Sequence, residues 1–197
     1  SARFEGKTIN IDHTGDLITI PLNPFVTLGK LDSLTVYYHG VPGLSGFGSF
    51  GTYVHNGAPS MWTLSEPYGA SEWWPSKNDL TDKIDSIDVF VTMPKGNHAA
   101  SNGLLVSEKP WGTNSTIAHW KHRYPIVSYL IAVAVTNYAR YTDYYKAGTD
   151  SIPILNYVYP EDSVVLRPIT SDVVNTMALF ERLFTPYPFK KEKYGHA

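Results

Sequence analysis

Two acids stand out among the residues able to do chemistry, Glu66 and Glu72, set six residues apart in the aromatic, turn-rich run from Met61 to Pro75. A glycosidase acid pair needs its carboxyls about 5–10 Å apart, whereas six residues of extended chain span roughly 20 Å. Taken bare, Glu66 therefore reads as a loop acid in a β domain. The charged run Lys77, Asp79, Asp82, Lys83, Asp85 and Asp88 reads as a solvated turn and strand face. A calcium loop would need a glycine in its sixth place, and none occurs between Gly69 and Gly96. Gly46-x-Gly48-x-x-Gly51 has the dinucleotide spacing, but strand-like sequence follows it, not the helix whose N-terminus would receive a phosphate. The five tryptophans, Trp62, Trp73, Trp74, Trp111 and Trp120, read as core and inter-sheet packing, not as a sugar-stacking platform.

The elements that must position these residues are mostly strands. Ile87, Val89, Val91 and Met93 alternate with Asp88, Phe90 and Thr92 at a period of two. Short strands are expected at Thr8 to Ile11, Leu17 to Ile20 and Leu31 to His39, where β-branched and aromatic residues favour them. Asn102-Gly103 marks a turn between Leu104 to Val106 and what precedes it. Thr116 to Trp120 is the return strand, with Pro110-Trp111-Gly112 in between. Tyr129 to Thr136 reads as a strand covered on both faces. Near Asn137 the character changes to a polar, tyrosine-rich segment, and Ile154 to Tyr159 is a further strand. The one clear helix is Ser171 to Phe184, roughly 21 Å long. Thr170 or Ser171 stands at its cap, Val173, Met177, Phe180 and Phe184 form its apolar face, and Pro186 and Pro188 end it.

Composition sets the outer limits. The chain has 197 residues, 43% hydrophobic and 17% charged, which describes a folded globular sequence. A net charge of -2 supplies no basic field for nucleic acid or an anionic membrane surface. No apolar run reaches the roughly 18–20 residues of a membrane helix. Cysteine is absent, which removes disulfides and thiolate metal sites and fits either a cytoplasmic or a secreted or periplasmic setting. Strand-like sequence begins at the first residues and no helix ties down the last, so the sequence reads as a piece of a longer protein.

The stretch Met61 to Pro94 resembles the N-terminal domain signature of the M1 family of zinc aminopeptidases. In that family an acid-Pro pair leads, nine residues on, to a Pro-Cys-x-Asp turn, then a Lys, then an apolar strand. Here Glu66-Pro67, Pro75 and Lys83 keep those offsets. Four positions depart from the pattern: Ser76 replaces the Cys, Asn78 the Asp, Ser71 the usual Arg and Leu64 a frequent Gln. Downstream, Tyr129-Leu130-Ile131-Ala132 looks like the last strand of the family's N-terminal domain. Phe180-Glu181, Tyr187-Pro188-Phe189 and Lys193-Tyr194 look like the opening of its catalytic domain. The resemblance covers about Leu31 to Ala197.

The resemblance implies a mainly β fold. An antiparallel, sandwich-like N-terminal domain over 1–138 would be followed over 139–197 by an incomplete α/β, thermolysin-like segment with one clear helix. It implies that Glu66 binds the free α-amino group of a peptide substrate, a carboxylate opposite an ammonium in a charge-assisted hydrogen bond. It also implies zinc in the parent enzyme, held by an H-E-x-x-H helix. Six of the seven histidines do not make that motif: His13, His39, His55, His98, His119 and His122 are followed four residues later by Leu17, Gly43, Pro59, Asn102, Arg123 and Ile126. His119 and His122, three apart, read as surface residues. The implied partners are a peptide substrate and the remainder of the catalytic domain; this chain is expected to hold no cofactor and to be inactive alone. The reading from another class is a non-catalytic, aromatic-rich β-sandwich module that binds carbohydrate or protein.

Overall fold

Alternation of apolar and polar residues sets the architecture. In a computed structural model that describes residues 1–22, 26–43 and 48–197, the chain opens with short strands: β1 (Ala2–Phe4), β2 (Lys7–Ile9), β3 (Asp12–Thr14), β4 (Leu17–Thr19) and β5 (Leu34–Val36). β1 pairs antiparallel with both β2 and β5, and β3 with β4. The expected strands over this region are present but shorter than the sequence suggested. Of the glycine-rich loop, 44–47 lies outside the described residues; after it runs a strand, β6 (Ser49–His55), not a helix.

The body of the first part is built from β6, β7 (Ala58–Leu64), β8 (Ile87–Pro94), β9 (His98–Ser101), β10 (Leu104–Trp111), β11 (Ser115–His122) and β12 (Val133–Thr136). They form two antiparallel sheets, ordered β6-β7-β12-β9 and β10-β11-β8. In β8 the alternation holds: Met93 is buried and Phe90 is 62% exposed on the opposite face. Pro110 and Trp111 belong to β10, not to a loop, and Trp111 is exposed, unlike its four relatives. The turn at Asn102-Gly103 joins β9 to β10. Gly103 has φ +77°, and a Cβ there would stand 2.1 Å from the Lys121 carbonyl oxygen, so only glycine fits. The covered strand expected at Tyr129 to Thr136 divides: Ser128–Leu130 is a 3-10 turn and only Val133–Thr136 pairs. Met93, Ala99, Ala118, Trp120, Val133 and Val135 close the core between the sheets, joined by Tyr157 from the second part.

That second part contains β13 (Ala139–Ala147) and β14 (Asp150–Val158), an antiparallel hairpin, with β15 (Tyr194–His196) added parallel to β14. Two helices, α1 (Ser163–Thr170) and α2 (Asp172–Leu183), lie in the connection. α1 went unanticipated, because Pro168 falls inside it. Ser171 stands at the N-terminus of α2 but does not cap it; its hydroxyl donates back to the Pro168 carbonyl at 2.6 Å. The apolar face of α2 is only partly used. Met177 is buried against Tyr145, Ile152 and Ile154, with Val173 and Val174 beside it. Phe180 and Phe184 remain 54% and 76% exposed.

Candidate functional site

The end of β7 delivers the candidate residue. Ser65, directly after the strand, is buried and holds the loop in place. Its carbonyl accepts from Gly69 N at 2.9 Å, its hydroxyl accepts from Trp73 Nε1 at 2.9 Å, and that hydroxyl reaches the Ser49 carbonyl of β6 at 3.5 Å. Gly69 fits against Ser49 so closely that a Cβ would stand 2.0 Å from its Oγ. The next turn, Gly69–Glu72, is 3-10, and Trp73 N and Trp74 N both donate to the Ala70 carbonyl. Glu66 thus sits between an anchored strand end and an anchored turn, and its peptide to Pro67 is cis.

Glu66 is half-buried. Its Oε2 is enclosed and has no hydrogen-bond partner among the described residues. An enclosed oxygen of this kind costs about 1–3 kcal/mol until a donor meets it. Among the described residues the two other enclosed side-chain polar atoms without a partner are Trp74 Nε1 and Ser76 Oγ, so all three lie within eleven residues of one another. Glu72 has a different role. Its carbonyl accepts from Gly43 N at 3.1 Å, and its carboxylate lies against Gly43, where it would meet a Cβ. The chain between Glu66 and Glu72 is a tight turn instead of the extended segment that the 20 Å span assumed.

Two of the four departures from the M1 pattern prove to be neighbours. Asn78 Nδ2 donates to Ser71 Oγ at 2.9 Å and to the Tyr68 carbonyl at 3.1 Å. The positions where the resemblance places an acid and an arginine are therefore in contact, and a neutral hydrogen bond ties the turn in this chain. Lys77 pairs with Asp82 at 2.6 Å, and backbone and hydroxyl donors from Thr81 hold the Asp79 carboxyl down at about 2, so the charged run is a solvated turn as expected.

The histidines do not gather. Residues three apart on a strand face opposite ways. His119 stacks on Phe90 and bonds Asp88 at 2.7 Å, while His122 turns inward. His122 is not a surface residue: it is buried, and its Nδ1 lies 2.5 Å from Oε2 of Glu192, which is 4% exposed. Arg123 N donates to the other Glu192 oxygen at 2.7 Å. This pair went unread because 70 residues separate its members, and Glu192 sits in Lys190-Lys191-Glu192-Lys193, which looks like a solvated tail. Among the described residues no three His, Asp or Glu side chains stand together to hold a metal ion, and no helix is long and apolar enough to cross a membrane.

Solved structures superpose over nearly the whole chain. An M1 zinc metallopeptidase from Deinococcus radiodurans matches with a TM-score of 0.79 and 22% identity, covering 99% of this chain and 44% of that one. The chain has the M1 zinc metallopeptidase fold. A mutant M1 zinc metallopeptidase from Deinococcus radiodurans, bound to a Tyr-Ser-Ala substrate, matches at a TM-score of 0.79 and 21% identity over 98% of this chain and 44% of that one. Legionella pneumophila aminopeptidase A in complex with aspartic acid matches at 0.58 and 22% identity, over 75% of this chain and 17% of its own. The chain spans less than half the length of these M1 structures. Its antiparallel, mainly β architecture matches the M1 N-terminal domain. No family model and no curated protein sequence matches the chain.

Proposed function

We propose that this chain is part of an M1-family zinc aminopeptidase, an enzyme that removes N-terminal residues from peptides, and that Glu66 anchors the substrate's free α-amino group. The single observation that carries this reading is the enclosed Oε2 of Glu66, which no donor among the described residues meets, on a loop that keeps the M1 offsets to Pro75 and Lys83. An ammonium brings several donors to such an oxygen and neutralises its charge. A blocked amine brings neither, which would make the loop a filter for free N-termini. In this reading 1–138 is the N-terminal β domain and 139–197 the start of the catalytic domain, whose remainder is the partner of this piece. Among the described residues no group of His, Asp or Glu fits a zinc site; in this reading other residues of the whole enzyme would hold the zinc, and Glu66 would serve substrate binding.

The test is Glu66→Gln in the full-length enzyme, with zinc content measured alongside. The swap keeps size and hydrogen bonding and removes the charge. An ion-paired hydrogen bond is worth about 1.5–3 kcal/mol, so kcat/KM should fall roughly 10- to 150-fold while zinc is retained. Glu72→Gln, which alters only the contact with Gly43, should change activity little. Equal losses from both substitutions, or none from Glu66→Gln, would remove Glu66 from the active site.

A further inference from the structure

The tip of the β6–β7 hairpin grips the second part at one spot. Its turn, Asn56-Gly57, has φ +46° and +82°, the positive pair that a two-residue hairpin loop favours. Behind the turn, Tyr53 and His55 stand two apart on β6 and so share a face. On the other side β14 ends at Val158, and Tyr159 leads into a 3-10 turn, Pro160–Asp162. The His55 ring stacks on the Tyr159 ring, with centroids 3.7 Å apart and planes 17° from parallel. His55 Nε2 lies 2.6 Å from Glu161 Oε1. The backbone N–H of Glu161 itself, and then the His55 donor, hold that carboxyl below the usual carboxylate range. A carboxylate only accepts, so Nε2 carries the proton. Asn56 Nδ2 donates to the same oxygen, and the hydroxyls of Tyr53 and Tyr159 meet.

Such a tie adds little to stability, because the His55 and Glu161 side chains are 32% and 41% exposed and exposed ion pairs are weak. What it fixes is an angle. The chain passes from the first part to the second at Asn137, between β12 and β13. A covalent joint alone lets the sheet tilt against the β13–β14 hairpin, and the clasp at the hairpin tip closes that freedom. The sheet it holds is the one that carries Glu66. β7 starts at Ala58, beside the clasp, and runs to Leu64, paired along its length with β6 and at Met61 and Trp62 with β12. The Ser60 hydroxyl donates to the Thr136 hydroxyl at 2.9 Å and locks β7 to β12. Glu66 follows Leu64 by two residues, roughly 25 Å of extended chain from Ala58. Over that lever a tilt of roughly 2–3° moves Glu66 by about 1 Å, enough to matter for a group that must meet a reacting substrate.

We propose that this clasp sets the position of the amine anchor: His55 and Glu161 are positioning residues that act through β7 on Glu66, and hold its carboxylate where a substrate's α-amino group meets it. The inference rests on the amine-anchor reading of Glu66 and extends it to the far end of the strand that carries it.

The test uses the full-length zinc enzyme and two inhibitors, alanine hydroxamate and propanohydroxamate, which differ in the α-amino group alone. The ratio of their inhibition constants reads what the amine contributes. Each variant is compared with itself, so a loss of folded or zinc-loaded enzyme cancels. Glu161→Ala removes both bonds to the hairpin tip and should lower the ratio about threefold to tenfold. Glu161→Gln keeps an acceptor for both donors and should hold the ratio within about twofold of the unaltered enzyme. Glu66→Gln should collapse the ratio, and Glu161→Ala added to it should change nothing further, because both act on one contact. A ratio unmoved by Glu161→Ala while Glu66→Gln collapses it would overturn the clasp and leave the amine anchor standing. Additive losses in the double variant would overturn it too, as would a loss in Glu161→Gln equal to that in Glu161→Ala, which would be an effect of charge and not of the tie. A ratio unmoved by Glu66→Gln would remove the amine-anchor reading, and this inference with it.

Discussion

Ser76 carries a hydroxyl that is enclosed and has no partner among the described residues. Where a buried hydroxyl meets neither donor nor acceptor, its desolvation is uncompensated. Ser76→Ala should therefore stabilise the chain, by about 1 kcal/mol, read as a raised urea midpoint at constant slope. Ser76→Cys, which restores the residue type of the M1 pattern with a group that behaves as a small hydrophobe, should do the same. Asn78 is the opposite case: its amide ties Tyr68 and Ser71 together, and Asn78→Ala should cost about 1 kcal/mol and loosen the turn beside Glu66. Lys193 makes a pH-dependent contribution. Its folded pKa, about 8, lies below the ordinary 10.5, so the unfolded chain binds more protons between those values and stability contributed by this group rises with pH. Below pH 8 the full cost is present. Lys193→Met should then be more stable than the original chain by about 1–3 kcal/mol at pH 7, with the difference shrinking towards pH 10. A constant difference across that range would contradict the assignment.

Helix α2 shows how an element can be only half positioned. Its N-terminal half lies on the β13–β14 hairpin through Val173, Val174 and Met177. Glu181 then acts as a clasp, accepting from the Tyr145 hydroxyl at 2.8 Å and from Tyr187 N at 2.9 Å. Beyond it Leu183 and Phe184 face outward, and on α1 Val164, Val165 and Ile169 do likewise. Because helix stability in proteins comes mostly from packing, hydrogen exchange should find the amides of 174–178 protected to nearly the level of β13 and β14, with those of 182–184 exchanging faster. Uniform protection to residue 184 would show that the outer apolar face is covered in solution.

At the scale of the molecule, the two parts are joined by shared core. β14 places Ile152 and Ile154 in the second cluster and Tyr157 in the first, and the buried His122–Glu192 pair ties β11 to the segment before β15. Removing one partner of a buried pair leaves the other uncompensated. His122→Ala should cost about 3–5 kcal/mol and separate the unfolding of the two parts into distinct transitions. Glu192→Gln, which keeps an acceptor for Arg123 N, should cost less. Since no cluster of metal-binding side chains is present among the described residues, chelator-washed chain should retain no stoichiometric zinc by elemental analysis; one tightly held zinc per chain would contradict this.

Much of the fold was written locally. The period of two in 87–94, the turn at Asn102-Gly103 and the apolar spacing of α2 each specify an element from neighbours in sequence, because side-chain direction follows directly from backbone period. The offsets from Glu66 to Pro75 and Lys83 carried the M1 likeness in the same way. What sequence could not determine is what distant residues do to one another. The division of 129–136 into a turn and a strand depends on which neighbours β12 finds. The burial of His122 depends on a carboxylate 70 residues away. Charge and polarity are properties of a side chain, but burial and pairing are properties of the assembled core. They alone decide that Lys193 is half-buried over the Trp120 ring while its sequence neighbours Lys190 and Lys191 are exposed.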